Sequence, residues 1–214
     1  MLSLSIYNPY FLGENLDFSS EASRYISIDV ETAGPNPGTY SLLSIGACTV
    51  FPPRREFYIE LKPATANYIP EALEVSQMTL ADLEEHGVDP REAMRQFSDW
   101  ARAAVPEGSA PIFVGFNAPF DWMFVNDYFL RYLGDNPFGH NALDIRAYFM
   151  GLTGSRWSDA SLKDVSHHYL ENRLLSHHAL QDARDQADIF LKLLGEQASR
   201  TGNGENDEQN PNPS

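Results

Sequence analysis

Tyr25 to Glu31, YISIDVE, alternates in the way a half-buried β-strand does. Ile26, Ile28 and Val30 fall on one side, and Tyr25, Ser27, Asp29 and Glu31 on the other. The two carboxylates therefore leave the strand from one face, one pleat apart. Carboxylates that close repel each other unless a cation lies between them. Hard oxygen donors of this kind suit Mg²⁺ or Mn²⁺. Two solvated acids at the exposed end of a strand fit this stretch equally well, so the choice rests on the rest of the chain.

Downstream of this strand, Thr32 to Gly38, TAGPNPG, is a turn rich in Gly and Pro. Ser41 to Val50, SLLSIGACTV, is apolar on both sides and reads as a central strand. Glu56 to Leu61 alternates again, with Phe57, Ile59 and Leu61 on one face. Three strands joined by short links predict an antiparallel meander. Upstream, residues 1–23 contain Pro9, Gly13 and several aromatics without a clear period, and read as an N-terminal extension. They lack the basic start of a secretory leader and already carry Glu14 and Asp17.

The segment from Lys62 to Gly87 is mixed, with a capping box at Thr79 to Asp82 opening a short helix that Gly87 ends. A longer helix starts at Asp89 as N-cap, with Pro90 in its first turn and Glu92 at its third position. Ala93, Met94, Phe97, Trp100, Ala101 and Ala104 form its apolar side. Ile112 to Phe116, IFVGF, reads as a buried parallel strand. Pro119 opens a helix to Tyr132, Ala142 to Met150 gives a fifth strand and a helix start, and Leu162 to Leu170 is a short helix. The last helix begins near Ala179, with Leu180, Ala183, Ala187, Phe190, Leu191 and Leu194 as its buried stripe. These elements make one domain over residues 24–195, and residues 196–214, without large apolar side chains, read as a disordered acidic tail.

A chain of 214 residues, 43% hydrophobic, is long enough for one α/β domain with a full core. No apolar run is long enough to span a bilayer. The single cysteine, Cys48, excludes an intramolecular disulfide and a cysteine-rich zinc site, and fits a reducing cytoplasm. Net charge is −15, with Lys62, Lys163 and Lys192 as the three lysines. A protein that grips long duplexes through their phosphates carries the opposite balance. Any nucleic-acid substrate is then held by its short or single-stranded end, with metal ions supplying local positive charge.

Further acids follow patterns. Asp121, in VGFNAPFDW, stands in the first turn of a helix, where the helix dipole favours a negative charge. The strand before it runs parallel to the first, which brings its end beside Asp29, at the edge where open α/β sheets place ligands. In HHALQDARDQA, Asp182 and Asp185 lie near the start of the last helix. His177 is five residues before Asp182 and His178 four. Five helical residues turn about 500°, so His177 and Asp182 meet only if His177 sits on the loop leading into the helix.

Together these residues resemble the DEDD superfamily of 3′–5′ exonucleases, which includes ribonuclease T, oligoribonuclease and the DNA polymerase III epsilon proofreading proteins. D-x-E in an apolar strand matches Asp29 and Glu31, the acid after N-x-x-F matches Asp121, and H-x-x-x-x-D matches His177 and Asp182. His178 stands where the tyrosine branch has its tyrosine, and His177 where the histidine branch has its histidine, so the chain resembles the histidine branch. The resemblance covers residues 24–194. It implies an α/β, ribonuclease-H-like fold: a five-stranded mixed sheet flanked by helices on both faces. It also implies two Mg²⁺ or Mn²⁺ ions held by Asp29, Glu31, Asp121 and Asp182, with His177 as general base. Nucleoside 5′-monophosphates are then released from the 3′ end of single-stranded or short RNA or DNA. Several members are homodimers, so the resemblance allows a homodimer. A nucleic-acid-binding or partner-binding module on the same fold is the alternative. A ribonuclease H-type endonuclease has different chemistry in its third motif. Phe116, Phe120 and Trp122 are candidates to stack bases, and Arg146, Arg156, Lys163 and Arg173 to contact phosphates, although core packing and a solvated surface explain most of these residues.

Overall fold

Five strands, β1 (Tyr25–Thr32), β2 (Leu42–Thr49), β3 (Glu56–Glu60), β4 (Ile112–Gly115) and β5 (Ala142–Asp144), form one sheet in the order β3-β2-β1-β4-β5. The computed structural model describes residues 21–170 and 176–207. Most of the N-terminal extension, Arg173 and the last seven residues lie outside that range. β1, β2 and β3 pair antiparallel, as expected of the meander, while β4 and β5 continue the sheet in parallel. The sheet is therefore mixed.

Seven α-helices are seen among the described residues: α1 (Pro70–Ser76), α2 (Leu80–His86), α3 (Pro90–Ala104), α4 (Pro119–Tyr132), α5 (Ile145–Thr153), α6 (Leu162–Tyr169) and α7 (Ala179–Asp207). The alternation of β1 sorts them into two layers. Ile26, Ile28 and Val30 pack on Met94 and Phe97 of α3 and on Phe124 and Phe129 of α4. Tyr25, from the other face, joins Phe149 of α5, Val165 of α6 and Phe190 of α7. Phe97 is fully buried and stacks on Phe57 at 5.2 Å and on Phe129 at 5.6 Å. Truncating such a side chain to alanine costs about 3–5 kcal/mol.

The helix starts follow local chemistry. The Asp89 carboxylate accepts from the N–H groups of Arg91 and Glu92 at the head of α3, a cap worth about 1 kcal/mol. Thr79 caps α2, and the N–H of Gly87 closes its last turn on the Leu83 carbonyl at 2.8 Å. Helix α1 was not expected. Its N-cap residue Ile69 makes no side-chain cap bond and Ser76 is its one buried residue, so neither a cap nor an apolar stripe announces it.

Two expectations about α7 need correction. Leu180 and Leu191 are half-buried, whereas Ile189, Leu193 and the polar Asp185 and Gln186 are buried. The helix touches both the sheet and the α5–α6 layer, so its buried surface is wider than one stripe. It also runs through Gly195 to Asp207, where a disordered tail was expected from residue 196. The contacts that hold this stretch are polar: the Tyr148 hydroxyl donates to Gln197, and Arg200 donates to the Leu152 carbonyl. Extending an established helix is also much easier than nucleating one.

Candidate active site

β1 and β4 pair from Tyr25↔Ile112 to Ser27↔Val114. Beyond that point the two strands part, and strand order reverses between them. Open α/β sheets bind ligands at such a crevice. The N–H of Val30, which β4 no longer reaches, donates to Asp121 Oδ1 at 3.1 Å. This bond satisfies a buried backbone donor and draws Asp121, in the first turn of α4, against β1. The entry to α4 is pinned by Asp144. Its Oδ2 accepts from the Ala118 N–H at 2.7 Å, and its Oδ1 caps α5 by accepting from the Ala147 N–H at 2.7 Å.

The other acid arrives through a close approach at Gly46. This residue faces Asp29 across the β1–β2 pairing. A β-carbon added to it would lie 2.1 Å from the backbone of Ala179 and Leu180. The first turn of α7 thus rests directly on β2, one strand from Asp29. One carboxylate oxygen from each of Asp29, Glu31 and Asp182 lies within 4.8 Å of the other two. The structure therefore brings the four acids named from the sequence to one crevice.

His177 is on the loop before α7, as its spacing requires. It is exposed, has φ 53°, and lines the crevice. A left-handed backbone is uncommon for a non-glycine residue and marks a position held by its surroundings. Here Ser176 does the holding: its N–H and its hydroxyl both donate to Asp182 Oδ1, at 3.0 and 3.1 Å. His178 points elsewhere and stacks on Tyr58 with ring centroids 4.6 Å apart. Asp185 is buried and accepts from Gln181 at 3.1 Å.

Two contributors escaped the sequence reading. Ser176 is one. The other is Gln186, 1% exposed, which donates to Asp29 Oδ1 at 2.7 Å and accepts the Phe116 N–H at 2.9 Å. Its signal was weak: a polar residue one helical turn beyond Asp182, on the side of α7 that faces the sheet.

The crevice holds about 220 Å³ and is lined by the four acids and His177, with Phe116, Phe120 and Leu162 as apolar neighbours. Trp122 instead packs edge-on against Phe113 at 5.3 Å, in the core. Among the described residues, no lysine or arginine lines the space. Burial, and then the charges of Asp121, Glu31 and Asp182, push the Asp29 carboxyl well above the usual carboxylate range. Burial and the neighbouring Asp182 and Asp121 push Glu31 up to about 8. Burial pushes Asp121 up to about 7 against the opposing hydrogen bond from Val30. The clustered carboxylates of Asp29, Glu31 and Asp182 are hard oxygen donors, which suit a divalent cation of the Mg²⁺ type.

The sequence profile of the RNase T exonuclease family matches residues 26–190, a span that contains Asp29, Glu31, Asp121, His177 and Asp182. The chain belongs to this exonuclease family. The exonuclease is 46% identical over 166 residues to the 3′-5′ DNA exonuclease Cap18 of Escherichia coli, an alignment covering 78% of this chain and 89% of the relative. Among solved structures it resembles the nuclease domain of 3′hExo, a DEDDh family member bound to rAMP. That match has TM-score 0.67 and 15% identity, and covers 80% of this chain and 92% of that one. It also resembles exonuclease X in complex with 5′ overhanging duplex DNA, with TM-score 0.57 and 18% identity, covering 80% of this chain and 91% of that one. At such identities the likeness establishes the ribonuclease-H-like fold of the exonuclease. Among its described residues, no helix is long and apolar enough to cross a membrane.

Proposed function

We propose that the exonuclease shortens single-stranded or short nucleic acid from the 3′ end, one nucleoside 5′-monophosphate at a time, with Asp29, Glu31, Asp121 and Asp182 holding two Mg²⁺ or Mn²⁺ ions. The observation that carries this reading is the meeting of the Asp29, Glu31 and Asp182 carboxylates within 4.8 Å, in a crevice that His177 also lines. DNA is the first substrate to test, because the relative at 46% identity is named as a DNA exonuclease. The net charge of −15 disfavours a long duplex grip and favours an end.

When bound, such ions act as Lewis acids that lower the pKa of water and offset the charge that develops on phosphate. The residues of the chain do the rest. The His177 imidazole accepts the proton of the water that attacks phosphorus, a general-base contribution of about 10²–10⁴-fold. The bond from phosphorus to the 3′ oxygen of the shortened strand breaks, and that oxygen takes up a proton. Gln186 orients the Asp29 carboxylate. Phe116, Phe120 and Leu162 supply apolar walls for the terminal base.

The test is a 5′-labelled single-stranded DNA or RNA oligonucleotide incubated with protein and Mg²⁺ or Mn²⁺. The expected result is a ladder that shrinks from the 3′ end and is abolished by chelator and by Asp29→Ala. Internal cuts support an endonuclease instead. Retained binding without cleavage supports a binding module.

A further inference from the structure

Trp157 is 61% exposed, the largest exposure among the large hydrophobic side chains of the described residues. It opens a 3₁₀ turn, Trp157–Asp159, between α5 and α6. The ring is not loose. The Arg146 guanidinium lies 3.3 Å from its centroid, and Arg146 Nη2 donates to the Trp157 carbonyl at 2.7 Å. One arginine therefore covers one face of the indole and fastens the backbone beneath it, a stacked arrangement that a lysine does not provide. The remaining exposure leaves the indole open to solvent.

The position of this pair in the fold gives the arrangement a use. Arg146 is in the first turn of α5, just after Asp144, which pins the entry to α4 beside the crevice residue Asn117. On its other side the chain passes from Trp157 to Leu162, which starts α6 and lines the crevice. Trp157 itself is outside the crevice lining. A base resting on it therefore belongs to a nucleotide other than the one at the acids. Arg156, the exposed residue that precedes it in the chain, adds a second positive charge to this turn in a chain whose net charge is −15.

We infer that Trp157, backed by Arg146, is a stacking platform for an upstream base of a single-stranded substrate. The inference rests on the reading of the crevice as the site of 3′-end cleavage. A chain this acidic gains little from phosphate contacts, so a neutral π-face is the means of holding the strand that its charge leaves open. Stacking of one base on an aromatic side chain is worth roughly 5- to 150-fold in affinity. An indole that accepts any base also imposes little sequence preference.

The experiment is steady-state shortening of 5′-labelled single-stranded DNA hexamers by the wild type, Trp157→Ala and Trp157→Phe. Trp157→Ala raises KM by about fivefold or more, and Trp157→Phe recovers most of that loss. Hexamers carrying one abasic nucleotide locate the contact. In the wild type, one internal abasic position raises KM by a similar factor, and in Trp157→Ala that position brings no further loss. A KM for Trp157→Ala within about twofold of the wild type overturns the platform, as does an abasic penalty that persists in full in the variant. A wild type that leaves the 3′ end intact overturns the reading of the crevice instead, so the two failures are distinct.

Discussion

Gln186 Nε2 donates to Asp29 Oδ1 at 2.7 Å, joining α7 to β1 across 157 positions of sequence. The same amide accepts the N–H of Phe116, where the chain leaves β4. One buried side chain thus ties together the three elements that meet at the crevice, and it sets the rotamer of Asp29. Gln186→Met removes both bonds at nearly constant volume, and Gln186→Glu keeps an acceptor for Phe116 while facing Asp29 with a second negative charge. Loss of an outer partner of a metal-binding carboxylate typically costs about 10–100-fold in metal affinity or activity. Gln186→Met should raise the Mn²⁺ concentration for half-maximal activation by that order, and Gln186→Glu by more. Titrating activity and calorimetric Mn²⁺ binding in parallel checks this. Wild-type ion affinity in both variants would remove Gln186 from the site.

His177 and His178 are neighbours with separate surroundings. His177 lines the crevice from a left-handed backbone position, and His178 stacks on Tyr58. His177→Ala should lose about 10²–10⁴-fold in kcat while keeping the Mn²⁺-induced rise in melting temperature. His178→Ala should change kcat by less than about tenfold and lower the melting temperature slightly through the lost ring contact. Single-turnover cleavage with saturating protein separates the two. The reverse pattern would move the proton acceptor to His178.

The crowding of acids predicts a pH-dependent stability in the metal-free protein. Glu31 is pushed up to about 8 and Asp121 to about 7, so the folded state holds protons that an unfolded chain has already lost above the ordinary carboxylate range. The state that binds more protons is disfavoured as pH rises. Melting temperature in excess chelator should therefore fall as pH climbs from about 4.5 toward 8. Mn²⁺ should restore it most at the alkaline end, where the carboxylates are free to bind. Glu31→Gln should flatten the chelated curve and melt above the wild type at alkaline pH. Identical chelated curves for the two proteins would show that Glu31 carries no such proton.

Gly46→Ala places a methyl group 2.1 Å from the Ala179–Leu180 backbone, so the head of α7 must lift from the sheet. Overpacking of this kind costs about 1–3 kcal/mol, and here it also draws Asp182 away from Asp29 and Glu31. Denaturant unfolding should show the loss of stability, and the 3′-end assay a larger proportional loss of activity. Alanine at the solvent-facing Gly195, where an added β-carbon meets nothing within 4 Å, serves as the control.

Much of this exonuclease could be read along the chain because the governing interactions are local. The pleat places Asp29 and Glu31 on one face of β1, and the caps at Thr79 and Asp89 open α2 and α3 where expected. The spacing of His177 before Asp182 demands a loop, and a loop is there. Periodicity and capping act over a few residues, so a single sequence carries them. Four features depended on contacts between distant segments: the Gln186 bridge, the turning of His178 onto Tyr58, the extension of α7 to Asp207 through its contacts with α5, and the docking of α7 at Gly46. Each requires two segments to be packed before the contact exists, and side-chain type alone does not name the partner. Tertiary packing therefore decided how the acids are oriented and held, while the spacing of the sequence motifs had already named which residues to look for.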